Sequence, residues 1–131
     1  MARKLAKKGI NKHDFTTLLR TGDTVMVISG GNSKSREIKG QTGKILRFNT
    51  KRCRVFIEGV NMIKRHKRAR SAQEVGGIIE KEGSVHISNV MYFSDELKRP
   101  LRLRQKLLDN GKKVRGFTHP ETKKFEQIDA A

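Results

Sequence analysis

Apolar residues arrive in short bursts separated by glycines and polar turns. "TVMVIS" at 24–29 is rich in β-branched residues and reads as a buried strand. "KILRFN" at 44–49 is strand-like again. "KRCRVFIE" at 51–58 alternates, with Cys53, Val55 and Ile57 on one face and Arg54, Phe56 and Glu58 on the other. Asn49, Thr50 and Lys51 supply the turn between these two runs. Gly59 interrupts, "VNMIK" at 60–64 resumes, and "SAQEVGG" at 71–77 is a loop. "IIEKEGSVHISNVMYF" at 78–93 gives two more short strands around Glu82 and Gly83. About five short strands in roughly 70 residues, with no sustained helical period, predict a small all-β barrel over 21–93. Residues 94–131 alternate again in "PLRLR" and "KFEQI", with a hairpin signal at Asn110-Gly111, and predict a C-terminal β extension. Residues 1–20 form a basic N-terminal tail, in which "DFTTLLR" at 14–20 makes one helical turn or an extended lead-in.

Composition narrows what such a barrel can do. The chain has 131 residues, 34% hydrophobic and 33% charged, enough for one small core and too polar for a deep catalytic pocket. Its net charge is +17, spread as +5 over 1–20, +8 over 21–93 and +4 over 94–131. Charge on every segment points to a polyanion that covers several sides. The longest apolar runs fall far short of the ~18 residues that a membrane span needs. A single cysteine, Cys53, forms no intrachain disulfide and fits a reducing compartment. The basic N-terminus lacks the apolar stretch of a secretory signal.

Catalytic readings find little support. "SGGNSKSREIKGQTGK" at 29–44 follows a strand and looks like a phosphate-binding loop. A P-loop needs a glycine five positions before Gly43, where Ile38 stands, and Ser or Thr after Lys44, where Ile45 stands. The next segment is a strand, so no helix N-terminus faces a phosphate. His13, His66, His86 and His119 are dispersed, without ligand spacing for a metal. His86 is expected to be a half-buried, hydrogen-bonded strand residue and Cys53 a core thiol. No paired carboxylates stand out. The sequence therefore predicts no enzyme, no cofactor, no metal and no small-molecule substrate.

The cations remain. Lys34, Arg36, Lys39 and Lys44 lie in the Gly-rich stretch, followed by Arg47, Lys51, Arg52 and Arg54. "KRHKRAR" packs Lys64, Arg65, Lys67, Arg68 and Arg70 around His66. Arg102 and Arg104 oppose Leu101 and Leu103, while Lys112, Lys113 and Arg115 cluster after a turn from which they are expected to reach outward. Arginine suits bidentate phosphate contacts. With no Trp and 5% aromatics, no stacking platform is obvious, and no recognition helix is visible. The expected ligand is folded RNA, held through phosphates and 2′-hydroxyls.

"GDTVMVISG" followed by "KGQTGKILRF" resembles a KOW motif of strand, glycine turn and strand. With "VFIEGVNMIKRHK", "GGIIEKEGSVHISNV" and "DNGKKVRGFTHPETKKFEQID" in that order, residues 21–129 resemble the bacterial-type family of large-subunit ribosomal protein number twenty-four. The resemblance implies an SH3-like barrel that binds the 5′ domain of large-subunit ribosomal RNA, helps start subunit assembly and lies near the peptide exit tunnel. It implies ribosomal RNA and neighbouring ribosomal proteins as partners, in a bacterial cytoplasm, without homo-oligomers. By motif match it adds Gly40 and Gly43 as turn positions between Lys39 and Lys44. It also adds Asn61 before the basic run, His66 within it, and Ser88 and Asn89. The chain departs from the family in a lengthened stretch at 31–38, in Glu82-Gly83-Ser84, and in Ala69 where a proline is common. A KOW-type transcription elongation factor and a free RNA-binding regulator are the rival expectations.

Overall fold

The computed structural model describes residues 17–31, 37–69 and 76–128. Lys34, Arg36, Arg70, His13 and residues 1–16 lie outside that set, as does most of the lengthened stretch. The lead-in at 17–20 is not helical.

The fold is all-β. Strand β1 (Thr24–Val27) pairs antiparallel with β2 (Thr42–Asn49), which pairs with β3 (Arg54–Ile57), which pairs with β6 (Ser84–His86). On its other side β1 pairs with β7 (Val90–Ser94), and β7 with β8 (Arg99–Leu101). The sheet order is thus β6-β3-β2-β1-β7-β8. β6 and β7 are far apart in that order, yet only a 3-10 turn, Ile87–Asn89, joins them. A three-residue link reaches about 10 Å, so the sheet must curl until its ends meet. The amides of Ile28 and Ile87 tie the seam, donating to Asn89 O (2.9 Å) and Cys53 O (3.0 Å). This is the predicted barrel. Its interior holds Val25, Val27, Ile38, Ile45, Val55, Ile57, Val60, Val85 and Val90. Each such side chain stabilises by roughly 1.5–3 kcal/mol on burial.

Several local expectations change. Simple alternation in β2 would put Ile45 and Arg47 on one face, and bury an arginine. A β-bulge between Ile45 and Arg47 prevents this: Ile45 opposes Ile57, and Arg47 opposes Phe56. Leu46 and Arg47 both turn outward, and Phe48 returns to the core. Cys53 is not a core thiol. The turn before β3 runs on as a 3-10 helix, Thr50–Arg52, and Cys53 closes it at φ 49°, half-buried. Ile38, expected on a protruding tip, belongs to the core. The glycine turn meets the predicted hairpin: Gly40 sits at φ +83°, and its N–H donates to Val27 O at 2.7 Å. Gly43 has no room for a side chain, since a Cβ there would lie 2.4 Å from Glu58 O.

Two antiparallel units leave the barrel. β4 (Met62–Lys67) and β5 (Gly77–Glu82) form a two-stranded ribbon, so the strand expected to end near Lys64 runs on to Lys67. After β8 the chain changes sheets at Arg102. β9 (Leu103–Leu107), β10 (Lys113–Thr118) and β11 (Phe125–Gln127) then form a three-stranded sheet in the order β11-β10-β9.

Arg115 of β10 does not reach outward, contrary to expectation. It is buried, and its guanidinium forks onto the Asp23 carboxylate, with Nη2 2.9 Å from Oδ1. Its Nη1 donates to Asp23 Oδ2 and to Leu18 O. Beside it, Tyr92 stacks on Phe117 with centroids 6.4 Å apart. Burial, and then the Asp23 carboxylate, hold the Tyr92 hydroxyl above the usual phenol pKa. Arg115 locks the extension to the barrel, which removes it from the surface cations.

Candidate nucleic-acid interface

The ribbon carries the densest basic run, and its register sorts that run by face. Directly opposed residues of an antiparallel pair share a face. Lys64 opposes Glu80 and His66 opposes Ile78; with Met62 and Glu82 these make one face. Lys64 Nζ lies 3.4 Å from Glu80 Oε1, so that cation is already partnered. Ile63, Arg65 and Lys67 oppose Lys81, Ile79 and Gly77 on the other face, which carries three cations and no acid. Arg65, Lys67, Ile79 and Lys81, with His66, line an open hollow. Arg68 is exposed just beyond β4. Lys81 was missed in the sequence because "EKE" hides it between acids; the cross-strand register is what aligns it with Arg65.

The barrel supplies a second cationic field. Lys39 and Lys44 are exposed beside the glycine turn, and Lys51 and Arg52 on the 3-10 helix. Arg47 is exposed with its guanidinium carbon 4.0 Å from the Phe56 ring centroid. Arg54, half-buried, donates from Nη2 to Ser84 O at 2.9 Å. Asn61 adopts φ 56° and offers its carbonyl to Gly83 N at 2.8 Å, a part in joining ribbon to barrel. Ser88 is exposed and pairs with His86 Nδ1 at 2.7 Å; Asn89 is half-buried against Gly30. His86 is hydrogen-bonded as expected but exposed, because it ends β6 and caps the 3-10 turn by accepting from Ser88 N.

On the extension, Arg102 and Arg104 are exposed and Leu101 is buried, as the alternation anticipates. Lys112 and Lys113 are exposed at the β9–β10 turn. Lys106, which the sequence did not single out, sits 5.9 Å over Phe125. The cleft between barrel and extension is of the opposite sign, lined by Asp95, Glu96 and Glu126 around Tyr92 and Phe117. A polyanion is repelled there and attracted to the glycine turn, the ribbon and the outer edge of β9. Among the described residues no cluster of three His, Cys, Asp or Glu is placed to hold a metal.

Comparison with known proteins by sequence finds one family. A family model described as "Large ribosomal subunit protein uL24, C-terminal domain" matches residues 60–121. The uL24 protein of Geobacter metallireducens is 47% identical over 97 residues, covering 74% of this chain and 83% of the relative. Those of Desulforamulus reducens (43% over 101 residues, 77% and 90% covered) and Magnetococcus marinus (44% over 105 residues, 80% and 88% covered) are similarly close.

Proposed function

Because this chain belongs to the uL24 family of large ribosomal subunit proteins, whose members are structural rather than enzymatic, we propose that it binds large-subunit ribosomal RNA through the cationic surfaces described above. It works in the bacterial cytoplasm as a ribosome-associated protein. The observation that carries the RNA-binding reading is the acid-free ribbon face of Arg65, Lys67 and Lys81. Lys39, Lys44, Lys51, Arg52, Arg104 and Lys113 extend the contact across the barrel and extension. Such cations neutralise phosphates and release counterions, which supplies affinity without base reading.

The finer parts follow from the family resemblance: contact with the 5′ domain of the RNA, an early place in subunit assembly, and a position near the exit of the peptide tunnel beside other ribosomal proteins. Sedimentation is the test. The protein is expected to co-migrate with large subunits and survive a moderate salt wash. Recovery of most of it in the soluble fraction at low salt sinks the reading and favours a free regulator. Cross-links from the protein to the RNA are expected to map within the 5′ domain.

A further inference from the structure

We propose that the outward face of β2, β3 and β6 receives one unpaired RNA nucleotide, whose base stacks on the Arg47 guanidinium that the Phe56 ring supports. The proposal rests on the RNA-binding reading above and adds to it a base-stacking site where only backbone contact was expected.

The β-bulge creates the platform. It turns two consecutive residues outward, Leu46 and Arg47, opposite the single residue Phe56. Leu46 is 44% exposed and supplies an apolar flank. Arg47 lies over the Phe56 ring at 4.0 Å, which fixes a planar cation whose other side faces solvent. The register completes the face: Phe56 opposes Ser84, while Arg54 opposes His86 on one side and Asn49 on the other. None of the residues just named is acidic, and Glu58, exposed immediately past the end of β3, is an acid at the margin of this face. Arg54 is held by Ser84 O, and its buried Nε has no partner among the described residues. His86 is held through Ser88. The face is thus cationic, partly apolar and already ordered.

These properties fit a nucleotide better than a duplex. Unpaired bases stack on aromatic rings and guanidinium planes, and a pre-stacked arginine loses little freedom when a base joins it. A duplex keeps its base faces stacked inside and presents phosphates and 2′-hydroxyls, none of which needs a supported guanidinium plane to stack on.

The test compares two RNA probes, an oligoadenylate octamer and a fully paired RNA duplex, in the full-length protein. Arg47→Lys keeps the charge and removes the planar cation; Phe56→Leu removes its support. Both substitutions are expected to weaken octamer binding by about 5- to 10-fold, the lower end of what one lost stack costs. Duplex affinity and its salt dependence are expected to stay at wild-type values. Equal weakening of both probes by Arg47→Lys makes Arg47 a phosphate contact and overturns the stacking site. Wild-type octamer affinity in both variants overturns it as well and leaves the pair as a surface ornament of the sheet. If the wild-type protein binds neither probe, nor large-subunit RNA, the RNA-binding reading fails and takes the stacking site with it.

Discussion

Both the β4–β5 ribbon and the β9–β10 pair carry alternating cations on antiparallel strands, and only the second buries one of them. On the ribbon only Ile63 and Glu82 are even half-covered, while Met62, Ile78 and Ile79 stand exposed. On β10, four consecutive residues from Val114 to Phe117 are buried. The difference lies in a single carboxylate. Asp23 stands 92 positions before Arg115 and draws it inward; of the ribbon's two acids, Glu80 is itself exposed and holds Lys64 at the surface. Charge alone does not tell a structural arginine from a binding one; the depth of its partner does.

Arg115→Ala should test that contrast most severely. Breaking a buried pair leaves Asp23 uncompensated and is expected to destabilise by about 3–5 kcal/mol in urea unfolding. Arg65→Ala on the ribbon should stay within ~0.5 kcal/mol, as surface substitutions usually do. Similar losses for the two would erase the distinction. Glycines sharpen it next. A Cβ at Gly116 would lie 2.0 Å from Glu126 O and 2.7 Å from the Phe125 ring, whereas one at Gly77 meets nothing within 4 Å. Gly116→Ala should therefore cost about 1–3 kcal/mol in thermal or urea melts, with Gly77→Ala near neutral. RNA binding reverses the order of the two regions. Removing Arg65 and Lys81 together should reduce the log–log salt slope by about 1.4–1.8 without loss of stability. Lys64→Ala, whose cation is already held by Glu80, should change the slope least; a full phosphate's worth of slope from Lys64 would contradict the assignment of faces.

Much of the barrel is legible in the sequence, because alternation and β-branched runs report directly which residues face inward: Val25, Val27, Val55 and Ile57 are all core. The bulge at Leu46 is not, since one extra residue leaves no signature in composition and only appears once β2 is aligned against β3. The basic run at 64–70 announces a surface, but not that the ribbon divides it into an acid-free face and a mixed one. Lys81 and Arg115 show the two errors that follow. One cation is hidden because its sequence neighbours are acids, and one reads as a surface group because its acid lies far away in the chain. Both depend on pairing between distant segments, which a local pattern does not contain.

The distance between Asp23 and Arg115 also orders events during synthesis. At roughly 5–20 residues per second, about 5–20 s separate the appearance of the two side chains. All the barrel strands from β1 to β7 leave the translating ribosome within that interval, so the barrel can close while the Asp23 carboxylate is still hydrated. Burial of the carboxylate can then wait for the guanidinium that arrives with β10. An extension that docks last, as a clasp fastened on a finished ring, spares the nascent chain from burying that charge alone.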